Sequence, residues 1–499
     1  MTQRLRRLMI GWGAPLVSGA VAAMGQAPFD FLPALIAGFV AAFWWWSRCA
    51  SPKQAAKFGW LFGTGYFAVT LSWIVEPFLI EPEVFGWMAP FALIFMAGGL
   101  ALFWALAGYV ARQLGGHPVA YAGMLALVEL LRAYVLTGFP WALASQGLVD
   151  WGAYQAAAWI GPHGVNLVFL TVCASVPLVA RRRWVAVPVA AALGGGTFWP
   201  IPVQDISENA PIVRMIQPNA VQSQKWTDDN IRKFFDRQVA FTAAPAEAPP
   251  DFVVWPETSV PFLLEYAGPA LGHVAQQAGG ADIVLGIQRR GEANDWYNSA
   301  ALVLPDGEIS EIYDKYHLVP FGEYLPFQKF FDRFGLTGLA AMGVGGYSAG
   351  DGPHLVDVPQ IGQVLPLICY EAIFPQNVFS APERPALLVH LTNDAWFGNF
   401  SGPYQHLAIA RMRAIESGIP VVRAANTGIS AVIDSYGNVT GLLGLNTAGY
   451  LDRPLPPVRK ATIYSHIGDW CALLLILGVV ATAFQFRGPF SVDAEEGQA

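Results

Sequence analysis

Composition and periodicity in the amino-acid sequence point to a multi-span α-helical membrane domain of about eight spans, joined to one external α/β domain. Three observations carry this. Hydrophobic residues make up 54% of the 499 and charged residues 13%, with a mean hydropathy of +0.40, too apolar for an ordinary soluble chain. Apolar stretches near the roughly 20 residues that a membrane-crossing helix needs recur up to residue 200 and again near the end. Between them, from Pro202 to Asp469, the composition turns globular and short β-rich runs alternate with helical ones.

The apolar stretches run over 8–24, 30–46, 58–75, 87–110, 118–136, 159–180, 184–200 and 470–487. The first and seventh are short and contain Pro15 and Pro188. Arg4, Arg6 and Arg7 ahead of the first also suit a cleaved signal peptide, but a second apolar run follows almost at once, which favours a retained span. Loop charges set the orientation. Arg4/Arg6/Arg7, Arg48/Lys53/Lys57, Arg112 and Arg181/Arg182/Arg183 occupy alternate loops, while the loops between them hold only Asp30, Glu76/Glu81/Glu83 and Asp150. The N-terminus is therefore expected in the cytoplasm, the segment 202–469 outside, and the tail with Arg487 inside. Trp44, Trp45, Trp46, Trp87, Trp199 and Trp470 fall at interfacial belt positions. The expected domains are 1–201 with seven spans, 202–469 external, and 470–499 with the last span and a cytoplasmic tail.

Within the external domain, strands are expected at Ile212–Gln217, Asp251–Trp255, Asp282–Gln288, Ser299–Leu304, Val364–Cys369, Leu387–Leu391, Val421–Ala424 and Ser430–Asp434. Helices are expected at Asp228–Ala243 and His406–Ser417. The stretch 327–350 is rich in Gly, Phe, Leu and Met without periodicity and reads as a mobile arm or a lid. A net charge of -7 without long basic runs argues against a nucleic-acid partner. The four cysteines, none in a CxxC pair, indicate neither a disulfide framework nor a metal site, and no cofactor is expected.

Three apolar runs end in reactive groups. One delivers Glu257 after Trp255-Pro256, one delivers Lys315 followed by Leu318-Val319-Pro320-Phe321-Gly322-Glu323-Tyr324-Leu325-Pro326, and one delivers Cys369-Tyr370-Glu371. A thiol near pKa 8.5 is mostly protonated at neutral pH and needs a base or a cation to become a nucleophile. Glu257 suits the base, and the Lys315 ammonium suits the thiolate and the oxyanion formed when a carbonyl is attacked. Each alone has an ordinary reading: a buried small hydrophobe for Cys369, a solvated lysine for Lys315, a helix cap for Glu257, ion-pair partners for Glu323 and Glu371. Three such strand ends in one external domain favour the reactive reading. Glu129 and Arg132 lie one helical turn apart in the fifth apolar stretch. They read either as a structural ion pair or, for Arg132, as a contact for a phospholipid phosphate.

These motifs resemble the nitrilase superfamily, and over roughly residues 5–487 the chain resembles the apolipoprotein N-acyltransferase family of Gram-negative bacteria. The specific pieces are Gln217-Pro218-Asn219, Lys225-Trp226, Trp255-Pro256-Glu257, Lys315 with LVPFGEYLP, and Cys369-Tyr370-Glu371. Asn393-Asp394-Ala395-Trp396-Phe397-Gly398, Arg413-Ala414-Ile415-Glu416 and Asn426-Thr427-Gly428 add to them. The resemblance implies an αββα sandwich with Glu257 as base, Lys315 as oxyanion cation and Cys369 as acyl-bearing nucleophile. It makes Glu323 a second essential carboxylate, puts Tyr370 and Glu371 beside the nucleophile, and places Trp226 near the site. It further implies a phospholipid acyl donor, a diacylglyceryl apolipoprotein acceptor, a bilayer setting in the bacterial inner membrane with a periplasmic catalytic domain, and a monomer. Two competing readings are a membrane-tethered amidase acting on a soluble substrate, and a transporter with an external binding domain. The first needs one anchor rather than eight spans; the second needs inverted repeats, which the sequence lacks.

Overall fold

In the computed structural model, residues 9–179, 196, 198–292, 295–326, 333 and 346–485 are described. The chain divides into two compact units, one of residues 1–201, 400–408 and 462–499 and the other of residues 202–399 and 409–461. Arg4, Arg6, Arg7, Arg181, Arg182, Arg183 and Arg487, the stretch 184–195 and most of the arm expected at 327–350 lie outside the described residues.

The first unit is helical. Its apolar stretches form helices Ala14–Ala23, Leu32–Trp46, Pro52–Thr70, Ala89–Gln113, Pro118–Arg132, Ala157–Val179 and Trp470–Gln485. By length and composition, two described helical stretches can cross a membrane, Pro82–Gln113 and Gly152–Leu178. Pro52–Thr70 and Ser72–Leu79, bent by 49°, make a third if they count as one span. Eight were expected. Helices Leu32–Trp46 and Pro118–Arg132 have 15 residues each, about 22 Å, against a hydrocarbon core of roughly 30 Å. Proline starts both of them, and Ala157–Val179 breaks at Gly161, where φ is 69°. The polar stretch 400–408 belongs to this unit. Gln405 donates to the carbonyls of Ala27 and Thr70 (3.0 Å each) and accepts from the Trp141 indole at 2.8 Å. A buried amide is thus satisfied on both sides.

The second unit is a sandwich of two six-stranded sheets. The first has the order β12-β1-β2-β3-β4-β5 and the second β11-β10-β9-β8-β7-β6. The strands are β1 Ile212–Gln217, β2 Phe252–Val254, β3 Asp282–Arg290, β4 Trp296–Val303, β5 Ile309–Asp314, β6 Val356–Val358, β7 Gly362–Ile368, β8 Leu387–Thr392, β9 Val421–Ala425, β10 Ser430–Ile433, β11 Val439–Leu443 and β12 Gly449–Pro454. Central strands β1–β3 and β7–β9 pair in parallel, so they read as continuous apolar runs. Alternate side chains sort the layers. Met215, Val254, Leu302, Val364, Val389 and Val422 meet in the core between the sheets. Val253, Trp255, Ile283 and Leu285 point the other way, onto Phe235 and Val239 of helix Asp228–Thr242 and Leu271 and Val274 of helix Gly268–Gln277. Helix Gly402–Ser417 buries Ile409, Met412 and Ile415.

Candidate active site

Glu257 lies in the turn that follows β2. The turn is pressed against β3: Trp255 donates its N–H to Val284 O at 2.9 Å, and Ser259 donates to Gly286 O at 2.8 Å. Only glycine fits at 286, because a Cβ there would sit 2.5 Å from Pro256 O and 2.6 Å from the Glu257 Cα. Thr258 takes φ 47° to finish the turn. Glu257 is buried, accepting from Asn298 Nδ2 at 2.8 Å through one oxygen and from the Asn393 N–H at 2.9 Å through the other. Burial raises its pKa; Lys315 lowers it, Glu323 raises it, and the hydrogen bond from Asn298 lowers it.

Lys315 follows β5, its N–H donated to Asn298 O at 2.9 Å. Its ammonium sits 2.8 Å from Glu323 and 3.7 Å from Glu257. Burial alone would lower its pKa, but the Glu323 and Glu257 carboxylates outweigh that and hold it charged. Glu323 is fixed by the Val319 N–H at 2.8 Å, within a turn where Phe321 adopts φ 65° and leaves its ring exposed. An ammonium carries three donors, and two of them face these carboxylates.

Cys369 directly follows β7 with φ 51°, in the left-handed region that a non-glycine residue occupies only when its surroundings enforce it. Its carbonyl accepts from His390 Nε2 at 3.1 Å, and Arg423 lies 2.9 Å from His390 Nδ1. Arg423 is also paired with buried Asp394, whose Oδ1 accepts from Thr392 Oγ1 at 3.0 Å. Burial pushes the Cys369 thiol well above its ordinary range, and Glu257 adds to this, while Lys315 and the neighbouring Thr392 side chain oppose it. At rest Cys369 is therefore a thiol, in the same buried cluster as Glu257 and the Lys315 ammonium.

Glu371 holds the parts together. Its carboxylate accepts from the N–H groups of Ile368 (2.7 Å), Tyr316 (2.9 Å) and His317 (3.2 Å) and from the Tyr313 hydroxyl (3.1 Å). It thereby ties the loop after Lys315 to the strand end that carries Cys369. Burial pushes its pKa up to about 7, with these donors pulling it down. Tyr370 is buried, with its ring edge-on to Phe374 at 5.1 Å. Trp226 is half exposed, and the Lys225 ammonium lies 4.9 Å from its ring. Arg132 is in the helical unit and is buried. Its donors go to Glu129, to the Phe139 carbonyl and to the Trp141 carbonyl at 2.9 Å, which is the arrangement of a structural ion pair.

Asn298 was not singled out from the sequence. It precedes the expected strand Ser299–Leu304 by one residue, and nothing in its type distinguishes it from a strand-end amide. In the structure its Nδ2 donates to Glu257 at 2.8 Å and to Glu323 at 3.3 Å, and its backbone carbonyl anchors Lys315. Hydrogen bonds to charged groups contribute about 1.5–3 kcal/mol. On the expectation that Cys369 bears the acyl group and Glu257 is its base, Asn298→Leu slows acylation of Cys369 at least about tenfold. Loss of the donor raises the pKa of Glu257, so the acidic limb of the rate–pH profile should move to higher pH. A slower enzyme with an unmoved acidic limb would mean that Asn298 does not tune the base.

Residues 213–463 match the carbon-nitrogen hydrolase family, and residues 18–175 match the apolipoprotein N-acyltransferase N-terminal domain. Curated proteins called apolipoprotein N-acyltransferase are similar along nearly the whole chain. That of Brucella melitensis is 37% identical over 505 residues, covering 94% of each chain. That of Rhodopseudomonas palustris is 36% identical over 525 residues, covering 97% of each. Among solved structures, an amidase of the nitrilase superfamily from Nesterenkonia AN1 is 19% identical with a TM-score of 0.36, covering 50% of this chain and 93% of that one.

Proposed function

The chain belongs to the apolipoprotein N-acyltransferase family, and from that premise we propose that it transfers an acyl chain from a phospholipid, through a thioester on Cys369, to the N-terminal amine of an S-diacylglyceryl-cysteine apolipoprotein. A lysophospholipid is released. The observation that carries this reading is one buried cluster in which Lys315 lies 3.7 Å from Glu257 and 2.8 Å from Glu323, beside the strained Cys369.

Sulfur attacks the ester carbonyl carbon as the thiol proton passes to Glu257. The Lys315 ammonium meets the negative charge that develops on the carbonyl oxygen. When the intermediate collapses, the glycerol oxygen leaves with the proton held by Glu257. The amine of the second substrate then attacks the thioester, Glu257 takes its proton, and Lys315 stabilises the departing thiolate before it is reprotonated. Because the resting thiol is not ionised, proton removal and sulfur attack are coupled. The first transfer, from ester to thioester, is uphill, but the amide formed at the end is the most stable acyl derivative and makes the whole sequence downhill, so no nucleotide is needed to drive it. Water must be excluded while the thioester lasts, and burial of Cys369, Glu257 and Lys315 serves that.

Both substrates are lipids, which supports placing the enzyme in the bacterial inner membrane. On this reading seven spans lie within 1–201 and an eighth within 470–499. The catalytic domain, 202–469, faces the periplasm, both termini face the cytoplasm, and the monomer carries a complete site. Incubation of the full chain with a phospholipid, followed by mass spectrometry of the Cys369 peptide, tests the scheme. A hydroxylamine-labile acyl mass is expected on that cysteine. Transfer activity without any such adduct under single-turnover conditions would rule the thioester out.

A further inference from the structure

A recess opens beside the turn that carries Glu257. Pro256 and Ser259 form part of its wall, Trp226, Phe234 and Phe235 line it with rings, and Lys225 reaches into it. Lys225 is 6% exposed. Among the described residues it has neither an acceptor within hydrogen-bond reach nor an ion-pair partner; the Trp226 ring lies 4.9 Å away and the Glu257 charge acts on it from farther off. Gln238 Oε1, on the same wall, is buried without a donor among the described residues. The glutamine's Nε2 is already committed to Ser259 O at 3.0 Å. An ammonium largely buried without an acceptor loses much of its hydration, a cost that packing does not offset. Burial lowers the Lys225 pKa to about 8, with Glu257 pulling it back up, so at neutral pH the group is mostly the cation.

The functional scheme leaves Lys225 without a task. We propose that Lys225 and its recess form the subsite for the phosphodiester of the acyl donor, placing the donor's ester beside Cys369. The inference rests on the acyl-transfer reading above. Of the groups that this reaction brings to the site, only the phospholipid phosphate is an anion next to the reacting ester. The acceptor's amine is cationic when protonated, and Lys225 would repel that form. The recess has room for about one water molecule, so one phosphate oxygen takes that place beside the cation, while the glycerol and acyl carbons lie outside it.

The experiment compares two acyl donors with the same chains, phosphatidylglycerol and the uncharged diacylglycerol, in mixed detergent micelles. Acyl adduct on Cys369 of the full-length protein is followed by mass spectrometry. The expected result is that Lys225→Met raises the apparent KM for phosphatidylglycerol about thirtyfold more than for diacylglycerol, the scale of one charge-assisted hydrogen bond. Lys225→Arg, which keeps the charge, should recover most of that difference. Equal losses on both donors, or no loss on either, would overturn the phosphate subsite while leaving the acyl-enzyme in place. Absence of an adduct on the wild-type protein from either donor would overturn the acyl-transfer reading and the subsite together.

Discussion

Cys369→Ala is expected to form no acyl adduct and to lose transfer by roughly a millionfold, the scale reached when a covalent nucleophile is deleted elsewhere. The substitution removes only the sulfur and keeps the Cβ. The strained φ of 51°, the His390 contact to the carbonyl and the Glu371 ties to Ile368 and Tyr316 all involve other atoms. The variant should therefore melt close to wild type, which separates loss of chemistry from loss of fold. Transfer at a tenth of the wild-type rate would sink the assignment of Cys369, and so the whole scheme.

Lys315→Met removes the cation between two carboxylates, and a fall of about 10²–10³ in the acylation rate is expected. The oxyanion loses its partner, and the base is affected as well. Lys315 lowers the pKa of Glu257 whereas burial and Glu323 raise it. Without the cation Glu257 keeps its proton to higher pH, and the residual activity should rise with pH over a range where wild type is already flat. Adding Glu323→Gln in the same background removes the repulsive charge and should bring the acidic limb partly back, a coupling that a double-mutant cycle reads directly. Adduct formation at wild-type rate in Lys315→Met would exclude the oxyanion role.

The sequence made the strand ends legible because buried parallel strands are short apolar runs that stop abruptly. β1 spans the expected residues, and β2, β3, β7, β8, β9 and β10 differ by a residue or two at their ends. β6, β11 and β12 were not anticipated, and β5 was read only as the strand end that delivers Lys315. They are edge or antiparallel strands with one wetter face, such as Ile309-Ser310-Glu311-Ile312 in β5 and Val439-Thr440-Gly441 in β11, and their apolar signal is diluted accordingly. Glu257, Lys315 and Cys369 were legible as an unusual set of reactive types at strand ends. Asn298 and the His390–Arg423–Asp394 group were not, because their importance comes from which strands lie side by side. Arg423 on β9 reaches His390 on β8 through a parallel register in which these two residues are paired, and no local pattern encodes that. The helical unit was legible as apolar stretches, and these form helices that proline and glycine shorten or bend.

The Glu371 carboxylate links residues of the first sheet, Tyr313 and the loop after Lys315, to the end of β7 in the second. Glu257, Asn298 and Lys315 come from the first sheet; Cys369 and the Asn393 N–H come from the second, with Glu257 and Asn393 separated by 136 positions along the chain. A half-folded chain with one sheet formed therefore holds a thiol without a base, or a base without a thiol. Such a chain cannot trap an acyl group irreversibly in the wrong place. Reactivity of Cys369 toward lipid esters should thus report docking of the two sheets, so that active-site titration during refolding would time the closing of the sandwich.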